Sequence, residues 1–133
     1  MRRAAAILVV PILVVTAWPM AAHAADCSNA GTQSELNDCA YKDFQKADAV
    51  LNQVYAKLKA RTSAPDAVKR LVEAEKAWIA YRDRECDFET EDSIDGSIRP
   101  MELSACYQQK TTARTAELKK QLDCPEGDLT CAH

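Results

Sequence analysis

Beyond residue 24, helix breakers occur in only a few places: Gly31, Pro65, Gly96 with Pro100, and Pro125 with Gly127. The stretches 32–64, 66–95 and 101–124 contain none. Uninterrupted runs of that length, divided by such punctuation, predict three helices. Apolar residues recur within them at steps of three and four. The first run carries Leu36, Cys39, Ala40, Ala47, Leu51, Val54 and Leu58; the second Val68, Leu71, Val72, Trp78, Ile79 and Cys86; the third Leu103, Cys106, Tyr107, Leu118 and Leu122. This is the spacing of a buried helical stripe, not of a strand. Thr32-x-x-Glu35 and Ser63-x-x-Asp66 have the form of capping boxes, and Pro100 suits the first turn of a helix. The links are short, so neighbouring helices should run antiparallel. The expected fold is all-α, an antiparallel three-helix bundle.

Residues 1–24 read as a secretory signal peptide. Arg2 and Arg3 precede an apolar run from Ala4 to Val15, and Ala22-His23-Ala24 supplies a small-residue cleavage site. The run is too short to span a bilayer, for which ~20 residues are needed. Asp26 precedes Cys27, where a lipoprotein signal requires a small residue, so no lasting membrane anchor is expected. The expected location is the periplasm or the exterior. Cleavage after Ala24 leaves 109 residues and, with two arginines lost, a net charge of −5. That balance argues against nucleic acid as a partner. The mature chain divides into a helical domain, 25–123, and a tail, 124–133.

Six cysteines in a small exported chain predict disulfides. In an up-down-up bundle Cys27, Cys39, Cys86 and Cys106 share one pole, and Cys124 and Cys131 lie at the other. The last two should pair locally. Cys27–Cys39 with Cys86–Cys106 is the favoured arrangement at the first pole, and a swapped set joining Cys39 to Cys86 stays open. A zinc site is disfavoured, because there is no C-x-x-C and the one mature histidine is His133. The missing motif also argues against a redox-active pair. No cofactor is implied.

Catalysis finds little support. Without an internal histidine neither a Ser-His-Asp nor a Cys-His arrangement can be built, and a narrow bundle offers no deep cleft to a carboxylate pair. The expectation is a non-enzyme.

Three constellations lie along helical faces: Asp48-x-x-Leu51-Asn52-x-x-Tyr55, Trp78-x-x-Tyr81-Arg82-Asp83-x-x-Cys86 and Thr111-x-x-Arg114-Thr115-x-x-Leu118. As core, Tyr55, Trp78 and Tyr81 would fill the interior, while Arg82 and Arg114 would pair with Asp48 or satisfy Asn52. These motifs, with Asp26-Cys27, Gln33-x-Glu35-Leu36-Asn37-x-Cys39-Ala40, Gly96-Ser97-Ile98, Pro100-Met101 and Cys106, resemble the LprI-like lysozyme inhibitor family over nearly the whole mature chain. The resemblance implies a small, helical, secreted bacterial domain and a lysozyme as partner. Cys124 and Cys131 look like additions to the pattern, and no inhibitory residue carries over.

One charge feature suits a basic lysozyme. Glu85, Asp87, Glu89, Glu91, Asp92 and Asp95 fall within eleven residues, with no basic residue before Arg99. Acids at a helix C-terminus oppose its dipole, a mild local cost. Glu89, Glu91, Asp92 and Asp95 would steer a basic partner. Ser97 and Arg99, on the adjoining turn, would reach carboxylates in its cleft. The same segment, Glu91 to Glu102, partly fits an EF-hand loop, although Glu91 and Pro100 are poor matches to its first and tenth positions. The alternative to inhibition is an envelope structural or stress-response module without activity on lysozyme.

Overall fold

The computed structural model describes residues 27, 29–125, 127–129 and 131; the signal segment 1–24 and His133 lie outside the described residues. Helix α1 spans Gln33–Arg61, α2 Pro65–Glu89 and α3 Arg99–Leu122, with a single 3₁₀ turn at Glu91–Ser93 between α2 and α3. At ~1.5 Å per residue the helices are roughly 35–45 Å long. The three-helix, all-α architecture is the one expected. So are the disulfides Cys27–Cys39, Cys86–Cys106 and Cys124–Cys131, whose Cα atoms lie 5.9, 5.7 and 6.1 Å apart.

The helix ends show where local chemistry decides. Thr32 caps α1 in a full capping box: its hydroxyl accepts from the Glu35 N–H at 3.3 Å, and the Glu35 carboxylate accepts from the Thr32 N–H at 2.9 Å. Backbone bonding from Gly31, then the Thr32 side chain, holds the Glu35 carboxyl below its ordinary pKa. The second box does not form. Ala64 is the N-cap of α2 and has no side-chain cap bond; Pro65 is the first helical residue. Proline holds the residue before it extended, which displaces Ser63 from the capping position. Helix α2 also stops at Glu89, short of Asp95. Thr90 is buried, and its hydroxyl and N–H both bond back to the Cys86 carbonyl, at 2.8 and 3.1 Å. Thr62 ends α1 in the same way on the Leu58 carbonyl. Beyond Glu89 the chain is acidic, with no basic residue in the last turn to offset the carbonyl ends.

Helices α1 and α3 run parallel and lie closest together. Gln33 meets Met101 at one end. At the other, the Arg61 guanidinium bonds the Leu122 carbonyl and, at 2.9 Å, that of Cys124. Close approach is possible because α3 presents small buried residues, Ser104, Thr111 and Thr115. Leu51, Val54, Leu58 and Leu118 form the apolar centre, joined by Tyr55, Leu71, Trp78 and Leu122. Helix α2 stands further off and is held through large side chains.

Chief among these is Arg82, whose side chain is only 11% exposed. Its guanidinium lies 5.4 Å from the Phe44 ring of α1, 5.3 Å from Trp78 of α2 and 5.1 Å from Tyr107 of α3. Asp83 accepts two of its N–H groups, at 2.8 and 2.9 Å, and Asp48 lies 3.8 Å away. The expected Arg82–Asp48 pairing is therefore present. Asn52 does not serve either arginine; it is exposed and donates to Asp48 at 2.9 Å. Arg114 departs from expectation too. It takes Glu75, 8% exposed, at 3.0 Å and Glu117 at 2.9 Å, and lies 5.8 Å from the Trp78 ring. Tyr81 is not core: it is 52% exposed, at the flank of α2, with the Lys110 ammonium of α3 6.0 Å from its ring. Its neighbours in sequence, Trp78 and Arg82, occupy the inward positions.

Three substitutions test this packing by stability. Trp78→Ala removes the ring shared by both arginines and the apolar centre, and should cost about 3 kcal/mol in denaturant unfolding. Arg82→Ala, which empties the space among three rings, should cost about 2–3 kcal/mol. A loss below ~0.5 kcal/mol for either would show that α2 is held by other contacts. The Thr111 hydroxyl is fully buried and, among the described residues, has no hydrogen-bond partner. Thr111→Val keeps the shape and removes the orphaned group, so it should raise stability by about 1 kcal/mol rather than lower it.

Candidate partner-binding pole

The Cys86–Cys106 disulfide joins the end of α2 to the first turns of α3 and closes the segment 87–105 into a loop. Inside it the backbone is tightly turned: Ser93 N–H bonds Thr90 O, Gly96 N–H bonds Ser93 O at 2.8 Å, and Arg99 N–H bonds Gly96 O at 3.1 Å. A Cβ on Gly96 would meet the Ser93 carbonyl oxygen at 3.2 Å, so glycine suits this close approach. The loop is tied to α1 as well, because the Asn37 amide donates to the Ser97 carbonyl at 3.0 Å. Asn37 in turn accepts from Gln33 at 2.9 Å. Sequence reasoning placed Asn37 only within the family resemblance and gave it no role. Its position one helical turn from Gln33 was the available signal.

The structure sorts the six singled-out residues into two sets. Glu91, Asp92, Asp95 and Ser97 are exposed, and among the described residues the three acids make no ion pair. Glu89 is exposed but paired with Lys110 at 2.8 Å. That hydrogen bond, against a smaller opposing effect of burial, holds the ammonium above its ordinary pKa. Arg99 is 18% exposed and turned inward; its guanidinium donates to the Thr90 carbonyl at 2.9 Å and to Asp87 at 3.2 Å. It braces the junction of α2 with the loop. Ile94 is 54% exposed beside the acids.

A surface concavity of about 560 Å³ runs along this pole, with Glu89, Asp92 and Glu102 on its wall and Ala105, Cys106 and Gln109 beneath. Its acids do not converge as an EF-hand would require. Among the described residues, the only trio of His, Cys, Asp or Glu side chains whose ligand atoms lie within 4.8 Å of one another is Cys124, Asp128 and Cys131. Two of those sulfurs are joined to each other.

The fold and the geometry of this pole together define a small disulfide-stapled helical domain with an exposed, acidic, disulfide-closed loop at one end. Residues 24–118 match the model of the family Lysozyme inhibitor LprI, and the chain belongs to that family. It is also similar to an uncharacterized protein of Rhizobium meliloti (strain 1021), 37% identical over 114 residues that span 77% of this chain and 82% of that protein. No solved structure matches significantly. None of the described helices is long and apolar enough to cross a membrane.

The bracing role of Arg99 is open to direct measurement. Arg99→Ala frees the Thr90 carbonyl and Asp87 together, so amide hydrogen exchange in residues 90–98 should speed up by about tenfold or more. The amides of the α1 centre should exchange as before. Unchanged exchange throughout the loop would show that the disulfide and Asn37 hold it alone.

Proposed function

We propose that this protein is an exported, non-catalytic inhibitor of a basic lysozyme, acting through the pole formed by the end of α2 and the loop that follows. Family membership supports the class of partner. The observation that carries the choice of surface is the set Glu91, Asp92 and Asp95: exposed, without an ion pair among the described residues, and carried on a loop clamped by the Cys86–Cys106 bridge. Free acids on a constrained knob raise the encounter rate with a cationic protein and lose little entropy on docking. Glu89 adds to the same field, reduced by Lys110. Ser97, at the tip, supplies a short-range contact to a carboxylate. Arg99 holds the knob in shape. Export follows from residues 1–24, read as a cleaved signal peptide, and places the protein in the periplasm or outside the cell.

The test is lysozyme-driven lysis of a bacterial suspension, titrated with the oxidised mature protein. Saturable protection is expected. The triple variant Glu91→Gln, Asp92→Asn, Asp95→Asn should slow association by about tenfold at low salt, with less effect on dissociation, and should flatten the dependence on ionic strength. Ser97→Ala should act mainly on dissociation. Folded, oxidised protein that protects against none of several lysozyme types would favour the envelope structural or stress-response role. Protection undiminished in the triple variant would move the site away from this pole.

A further inference from the structure

The face of α2 turned away from the bundle is as ordered in sequence as the face turned inward. Val68, Leu71, Glu75, Trp78, Arg82 and Cys86 point toward α1 and α3; on the opposite side stand Arg70, Glu73, Ala77, Ala80, Arg84 and Asp87, all exposed. The outward positions follow a heptad spacing, Arg70, Ala77 and Arg84 in one row and Glu73, Ala80 and Asp87 in the other. Two large side chains flank them, Tyr81 and Phe88, the latter 77% exposed. Among the described residues Arg70, Glu73 and Arg84 make no ion pair, and none of the described helices packs over the six positions.

We propose that a second copy of this chain docks here, α2 against α2 and antiparallel, with the two-fold axis between Ala77 and Ala80. The argument is self-complementarity. An antiparallel pair seats each residue of one row against the other row of the second helix. Ala77 then meets the partner's Ala80, which lets the two backbones approach closely. One turn out, Glu73 meets the partner's Arg84; at the ends, Arg70 meets the partner's Asp87. All of these contacts occur twice by symmetry. Asp87 remains available because its side chain is 61% exposed while bonding Arg99 through one oxygen. The Tyr81 ring falls over the exposed Ala74 of the second helix, and Tyr81 and Ala77 wall a shallow concavity of about 380 Å³ with Ala80, Arg84 and Glu85. A parallel pair would instead set arginine on arginine and acid on acid, so the charges select the orientation. The acids of the recognition pole lie beyond the end of α2, at opposite ends of such a dimer, and stay free.

A single helix face buries less than the ~1,200 Å² typical of a stable interface. The association should therefore be reversible and visible only as concentration rises. Sedimentation velocity of the oxidised mature protein, from micromolar to millimolar concentration, should show a monomer giving way to a dimer. Arg84→Glu, which sets acid against Glu73, should weaken dimerisation by about tenfold or more. The double variant Glu73→Arg, Arg84→Glu restores opposite charges across the axis and should recover it. Circular dichroism should be unchanged in both, since neither residue has an ion pair among the described residues. A single monomeric species at every concentration overturns the proposal. So does a dimer indifferent to Arg84→Glu, or one that the double variant fails to restore.

Discussion

A single guanidinium, that of Arg82, touches rings from all three helices. A charge so nearly buried is costly unless its donors are met and its faces covered. Here Asp83 accepts two of the donors, Asp48 lies 3.8 Å away, and Phe44, Trp78 and Tyr107 cover the faces. The arrangement fixes the distance of α2 from the close pair α1 and α3, and sets its rotation as well. Once Arg82 points inward, Trp78 and Glu75 follow at helical spacing, Glu75 receives Arg114, and Ala77, Ala80 and Arg84 are turned to solvent. Burial also pushes the Tyr107 hydroxyl above its ordinary pKa.

Stabilisation is divided along the length of the bundle. The aliphatic cluster of Leu51, Val54, Leu58 and Leu118 lies toward the end where α1 turns into α2. The opposite end holds few aliphatic residues and is closed by Cys27–Cys39 and Cys86–Cys106. Disulfides act mainly by limiting the unfolded chain, by ~2–4 kcal/mol each, and so they can support a pole whose surface is acidic and poor in apolar contacts. That division leaves the loop after α2 free to carry unpaired acids without the pole coming apart. It also explains why Arg99 and Asn37 are spent on the loop's own backbone.

Much was legible in the sequence because it rests on local rules. The glycine and proline positions and the three-four apolar spacing specify three helices, and Thr32-x-x-Glu35 specifies where the first begins. Cysteines placed at helix ends in an up-down-up chain favour the pairing observed, since the topology brings those ends together. The acidic character of the segment after Cys86 needs no structure to be seen. The family resemblance, too, was carried by motifs spread along the chain.

What only the tertiary structure decided was partnership and direction. Which acid answers Arg114 depends on which turn of α2 lies opposite, and that turn carries Glu75. Tyr81 and Trp78 are three residues apart on a helix, and both read as core; a difference of 60° in direction, resolved by the cage around Arg82, sends one inward and the other out. Arg99 read as a free cation on a turn, but the early stop of α2 at Thr90 exposes a carbonyl that it reaches. Composition and spacing record that charges and rings exist. Only the packing of one helix on another determines which of them are used up within the chain and which remain for a partner.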